Sequence, residues 1–203
     1  MSPKRVDRAA RRQKVLDAAV RVFARKGFAA ARIEDVAAEA GIGKGSVYLE
    51  FDSREELLTA AFEEYAAASA RVLEEVADGG GPPLDRLAAL VRTVVALLAA
   101  EPDRTRVLLD VWAAGARGGP TPPVDMAAVY RDYRATVAAL LGEAAADGTA
   151  RAGVGAPHAA VVVGAIEGCV VQWLVDPALP LDRLAGPIVD VCLDGLRRRE
   201  GGR

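Results

Sequence analysis

The chain has 203 residues, of which 52% are apolar and 5% aromatic, and a net charge of −2. That much apolar material supports a packed core and excludes a disordered polymer. Abundant alanine, few aromatics and little period-two alternation predict an all-α fold in which helices approach closely. A single His, no HExxH, no Cys/His cluster and no Gly-rich phosphate loop beside a strand leave no constellation for catalysis, so neither metal nor cofactor is expected.

The small net charge conceals an asymmetry. Residues 1–26 carry nine Lys and Arg against two acids, a local +7, and the remainder is locally −9. One end attracts phosphate and the rest repels it, which would orient an encounter with nucleic acid; a merely solvated face is the alternative. A first helix is predicted from Asp7 to Lys26, with Val15, Leu16, Ala19, Val22 and Phe23 on one face and Gly27 as its stop. Arg5, Arg8, Arg11 and Arg12 at its start are read as a basic arm on the DNA backbone or an adjacent minor groove, with a solvated tail as the alternative for Arg5.

Ile33 to Phe51, IEDVAAEAGIGKGSVYLEF, is the most specific stretch. Gly41 stands where a short helix must end in a left-handed residue, and Ala37, four positions earlier, lets a second helix cross tightly. Val36, Ala40, Ile42, Val47 and Phe51 supply apolar contacts from both sides of the turn. Lys44, Gly45, Ser46, Tyr48 and Glu50 are small, polar or charged, as a surface laid in a duplex groove requires. Ser53 and Glu56 then form a capping-box spacing that opens a long fourth helix to about Ala77.

Asp78-Gly79-Gly80-Gly81-Pro82-Pro83 is the clearest compositional break. Beyond it helices are predicted at 84–100, 103–116, 124–147, 157–175 and 181–199, giving nine in all, separated by Gly- and Pro-rich punctuation. Val161-Val162-Val163 sits within a helical length. The apolar run 159–175 has 17 residues with Glu167 and Gln172 inside it, short and polar for a bilayer span of about 20 residues, so no membrane partner is expected. The N-terminus lacks a signal core and Cys169 and Cys192 lie in apolar helices, which predicts a cytoplasmic chain without a disulfide.

Val15 to Leu58 resembles the DNA-binding domain of TetR-family transcriptional regulators along its whole length, through Gly27-Phe28, Ala40-Gly41-Ile42, Lys44-Gly45-Ser46-Val47-Tyr48, Phe51 and Ser53-Arg54-Glu55. The later part is similar only in architecture. The resemblance implies a helix-turn-helix DNA-binding domain over 1–56 and a helical ligand-binding and dimerisation domain over 57–203. With helix geometry it implies phosphate contacts by Lys44, Tyr48 and Arg54 and base-edge contacts by Ser46 and Gly45, with Val47 either beside them or in the core. Ala31, Arg32 and Gly43 replace the hydroxyl residues usual in the family, so both short helices are expected to lose side-chain caps, with Arg32 offering a phosphate contact instead. Glu50 replaces a usual His or Tyr, and two roles stand open for it: accepting from a cytosine amino group, or pairing with a neighbouring cation.

A dimer surface is read in the last two helices. Ala160, Gly164 and Gly168 recur every four residues, and Leu181, Leu184, Ile188, Cys192 and Leu196 make an apolar stripe; both are alternatively intramolecular core. A homodimer would place two recognition helices about 34 Å apart on a palindromic operator. Trp112, Met126, Tyr130, Tyr133 and Trp173 are the large side chains of an alanine-rich half and are candidates for walls of a small-molecule effector site, or for core. Glu167, a lone acid on an apolar helix, either meets that effector or pairs across the dimer. His158 is read as a capping or surface residue. The function expected is a ligand-responsive DNA-binding regulator, most readily a repressor; the rivals are a helical enzyme and an architectural protein that binds DNA nonspecifically.

Overall fold

A computed structural model describes residues 3–116 and 125–198. Among them are nine α-helices: α1 (Pro3–Lys26), α2 (Ile33–Ala40), α3 (Lys44–Tyr48), α4 (Arg54–Asp78), α5 (Pro83–Ala100), α6 (Pro102–Ala116), α7 (Met126–Ala146), α8 (Ala156–Val175) and α9 (Ala185–Leu193), with a single 3-10 turn at Leu181–Arg183. The all-α expectation is met. The helix starts and stops follow the punctuation: Gly27, at φ 76°, ends α1, and Gly81 and Gly148 take left-handed conformations in the links after α4 and α7. The predicted helix start at Val124 and the turn around Gly118-Gly119-Pro120 and Pro122-Pro123 lie outside the described residues.

The chain divides into two compact units, one of Met1–Ala67 with Glu101–Asp125, the other of Ala68–Ala100 with Met126–Arg203. The boundary expected at 56/57 falls inside the first of these, α4 contributes to both, and α6 belongs with the N-terminal unit. The cause lies in packing: α6 lies against α1, with Val107 buried and Leu108 and Val111 against the same apolar cluster as Val15, Val22, Phe23, Phe51 and Leu57. Arg104 of α6 also donates to the carbonyl of Ala61.

The second unit is built from α5, α7, α8 and α9, with Leu87, Val91, Leu140, Leu141, Val162 and Leu193 in its interior. Arg86 caps the end of α4 by donating to the carbonyls of Val76 and Ala77, and its other arm reaches Glu143 at 2.7 Å. Those carbonyls have no partner within their own helix, which is why a guanidinium is held there.

Two expectations need correction. The last helix does not run continuously from Leu181 to Arg199. A 3-10 turn precedes α9, Pro187 lies in the first turn of α9 where its missing N–H costs nothing, and the helix ends at Leu193, after which Arg197 bridges back to Ala150. Second, α8 reaches 20 residues, so among the described residues it is the one helix long and apolar enough to span a bilayer. Length therefore does not exclude a span; what sets α8 in a bundle is its packing against α7 and α9 and a hydrogen bond from Tyr130 to Glu167. Cys169 and Cys192 are free thiols, and burial together with the Cys169 neighbour raises the Cys192 thiol.

Candidate nucleic-acid interface

Gly41 has φ 65° and ψ 38°, and the Ile42 N–H donates to the Ala37 carbonyl at 3.0 Å, closing α2 in the manner expected. Nothing lies within 4 Å of the position a Cβ would take there. The glycine is thus required by its backbone conformation and not by crowding. Val36, Ala37, Ala40, Val47 and Phe51 are all buried, so the turn is clamped from both sides by the residues read from the sequence.

The cap at α2 is replaced from within the helix. Asp35 takes the Arg32 N–H at 3.1 Å with one carboxylate oxygen and Lys26 Nζ at 2.7 Å with the other. Gly43, before α3, has no side-chain cap. At α4 the Ser53 hydroxyl accepts the Glu56 N–H at 3.0 Å, and Glu56 reaches back one residue further than anticipated, to the Asp52 N–H at 2.6 Å.

With Val47 and Phe51 buried beneath, α3 presents Lys44, Gly45 and Tyr48 outward, and Ser46 is half-buried. Lys44 Nζ sits 5.5 Å from the Tyr48 ring centroid and pairs with Glu34. Arg32, Tyr48 and Arg54, far apart in sequence, line one surface depression of about 350 Å³ together with Glu34, Asp52 and Ser53. Leu49, 78% exposed beside Tyr48, was missed by the sequence reading; its helical position alone, off the Val47–Phe51 face, could have found it.

Arg54, expected at phosphate, also engages the backbone of the free chain. Its Nη1 donates to the carbonyls of Phe28, Ala29 and Ala31 at 3.1, 3.0 and 2.9 Å, and its guanidinium lies 5.0 Å from the centre of the Phe28 ring. The unpaired carbonyls of the link between α1 and α2 converge there, and a planar five-donor group satisfies them. Arg54 first of all shapes that link.

The basic N-terminus is likewise partly neutralised. Arg21 and Arg25 hold Glu39 at 2.8 and 3.0 Å, and Arg8 takes both oxygens of Glu50 at 2.9 and 3.1 Å. Hydrogen bonds from these cations keep Glu39 and Glu50 below the usual carboxylate range, as Lys26 does for Asp35 and Lys44 for Glu34. Of the two roles open for Glu50, the cation pair is the one formed in the free chain. Arg12 stacks over Phe51 at 4.5 Å, and the side chain of Arg5 lies outside the described residues.

The effector candidates divide between the units. Trp112, 39% exposed, is on α6, whereas Met126, Tyr130 and Tyr133 on α7 and Glu167 and Trp173 on α8 belong to the second. Tyr130 donates to Glu167, and the Tyr133 and Ser69 hydroxyls lie 2.5 Å apart, a partner the sequence reading did not name. Burial pushes both phenols upward, and for Tyr130 the Glu167 carboxylate adds to it. His158 Nδ1 accepts the Gly155 N–H at 3.3 Å and caps the start of α8, as anticipated.

On the proposed dimer surface, Ala160, Gly164 and Gly168 are exposed on α8, alongside Val161 (67%) and Val175 (84%). The stripe read on the last helix behaves otherwise. Leu181, Ile188 and Leu196 are buried within the chain, Leu184 and Cys192 are half-buried, and Val191 on the opposite side is 81% exposed. An amphipathic stripe marks the side turned to the nearest apolar partner, and here that partner is α5.

A compact head in which one short helix is pinned by its apolar side and shows its small and basic side is the fold of a helix-turn-helix DNA-binding regulator. Residues 15–61 match the model of the bacterial regulatory proteins of the tetR family, and residues 83–197 match that of the BetI-type transcriptional repressor C-terminal domain. The chain belongs to the TetR family and is a DNA-binding transcriptional regulator of the repressor kind. It is 28% identical over 197 residues to the nicotine-responsive transcriptional repressor HdnoR of Paenarthrobacter nicotinovorans, covering 94% of this chain and 97% of that one. The uncharacterised HTH-type regulator YerO of Bacillus subtilis is 38% identical over 79 residues, 38% of this chain and 27% of its own length. Among solved structures, SmeT, the Stenotrophomonas maltophilia efflux-pump repressor, in complex with triclosan has the same fold, with TM-score 0.78 at 24% identity over 94% and 93% of the two chains.

Proposed function

We propose that this chain is a cytoplasmic homodimeric repressor that grips a palindromic operator through α3 and is released from it by a small-molecule effector bound in the second unit. The exposure of Lys44, Gly45 and Tyr48 over a buried Val47 and Phe51 carries the first part: a helix so held enters a major groove as a rigid body. Lys44, Tyr48 and Arg32 contact phosphates, Gly45 and Ser46 approach base edges, and Arg54 holds the loop that carries Arg32 while lining the same depression.

Dimerisation rests on α8. Only 22% of its most apolar stretch is buried, and a face of Ala160, Val161, Gly164, Gly168 and Val175 left to water is the sort of surface a second copy covers. The small residues admit a close helix. Effector control rests on the cluster around Tyr130, Tyr133 and Glu167, and on relatives whose names record a nicotine response and a triclosan complex. An effector acts by binding the DNA-incompetent form more tightly, so operator DNA in turn weakens it.

Selection of binding sites from genomic DNA with the full chain tests this reading. Recovered sites should contain inverted half-sites and be protected from nuclease against excess competitor DNA. Recovery of unrelated sequences, with no protected site, would refute it.

A further inference from the structure

We propose that Leu49 reads the C5-methyl group of a thymine in the major groove, with Gly45 supplying the clearance that lets it reach; this deepens the operator-binding reading above and rests on it. Leu49 is 78% exposed, more than any other large apolar side chain among the described residues of the N-terminal unit. Its N–H donates to the Gly45 carbonyl at 3.2 Å and its φ of −72° and ψ of −17° are helical, so it carries the course of α3 one residue further. At about 100° of turn per residue it stands nearly opposite the buried Val47 and on the side of Gly45 and Ser46, four and three positions back.

Gly45 is the second observation. It is exposed, its φ is not positive, and a Cβ built on it would meet nothing within 4 Å. Neither crowding nor backbone conformation inside the chain calls for glycine there, and within a helix glycine is the weaker choice beside alanine. The missing side chain instead lets the axis of α3 approach base edges, and one turn on, Leu49 then projects toward the groove floor. A single exposed leucine on a protein surface is ordinary. This one sits on the reading side of α3, where it neither fills the core nor can form a hydrogen bond. Of the groups that bases show in the major groove, the thymine methyl is the apolar one. Amino, carbonyl and phosphate groups would each lose water against a leucine and gain no partner.

Replacing each thymine of a selected operator in turn by deoxyuridine, at symmetric positions of both half-sites, removes the methyl group and leaves the base pair. Fluorescence anisotropy with the full chain then reads the effect. At one symmetric pair of positions wild-type affinity should fall by about fourfold per half-site, the worth of burying one methyl group. Leu49→Ala, checked for native helicity, should bind the thymine operator more weakly and be indifferent to that same replacement. Should Leu49→Ala not fold, Leu49→Gln takes its place, since an exposed position accepts a polar side chain. A scan with no sensitive position, or sensitivity undiminished in the folded variant, overturns the inference. Selection that recovers no inverted half-sites refutes the regulator reading itself, whereas a protected operator indifferent to loss of its methyl groups refutes only the role of Leu49.

Discussion

The two units are held together by different forces. In the N-terminal unit, Arg21, Arg25 and Lys26 tie α1 to acids of α2, Lys44 ties α3 to Glu34, and Arg8 ties α1 to Glu50 just beyond α3. The second unit is joined chiefly by apolar faces, with the Arg86 clip and the Tyr130–Glu167 and Tyr133–Ser69 bonds among its polar exceptions. A run of positive charge in a sequence is therefore a poor measure of charge available to DNA, because part of it is matched by acids brought up by the fold. Conversely, the apolar face of α8 that carries Val161 and Val175 is left exposed among the described residues.

The contrast is broken most severely by Phe51→Ala. This ring is 1% exposed and closes the N-terminal core beneath α3, and removal of a buried aromatic costs about 3–5 kcal/mol. Urea unfolding followed by hydrogen exchange should show α2 and α3 losing protection at far lower denaturant while α7 and α8 keep theirs. Gly164→Leu addresses the other unit. A Cβ at Gly164 meets nothing within 4 Å inside the subunit, so the larger side chain is tolerated by the fold and obstructs only a helix from a second copy. Sedimentation should give a folded monomer with native helicity, and operator affinity should fall by about tenfold or more as the two-headed grip is lost. A dimer of unchanged affinity would place the interface elsewhere.

The helix-turn-helix was legible because its geometry dictates residue types: only a left-handed position calls for Gly41, and only a tight crossing calls for Ala37. Most helix boundaries up to α8 were legible from glycine and proline for the same reason, whereas the end of α9 at Leu193 was not. The grouping of α6 with the N-terminal unit was not, since Val107 and Val111 carry no mark of which core they enter. Nor was the fate of Arg54, because a guanidinium suits loop carbonyls as well as phosphate and its sequence neighbours do not say which it will meet. The stripe Leu181–Leu196 misled because periodicity reveals that a face is covered and leaves open by what.

Acid sharpens the comparison more gently. Glu34, Asp35, Glu39 and Glu50 all titrate below their ordinary values because cations donate to them in the folded state. Their stabilising contribution is present above the unfolded carboxylate values and is lost as pH falls through the lower folded ones. Amide exchange between about pH 5 and pH 3 should thus loosen α2 and the end of α3 first, with α5 and α7 protected to lower pH. Simultaneous loss in both units would contradict the assignment of ionic cohesion to the N-terminal one.

The smallest effect is expected of Glu50→Gln, and it decides between the two roles open for this residue. The carboxylate holds Arg8 in the free chain, so phosphate must compete with Glu50 for that guanidinium. Losing the charge frees Arg8. Affinity for random duplex should rise by about twofold to fivefold, the range of an exposed ion pair, and the salt dependence should steepen by about one counterion. Were Glu50 instead to read a cytosine amino group, the same substitution would lower operator affinity, leave random duplex unaffected, and lose its effect when that base pair is changed. Fluorescence anisotropy against both duplexes at several salt concentrations distinguishes the outcomes, because a pairing role moves nonspecific binding and a reading role moves only the specific term.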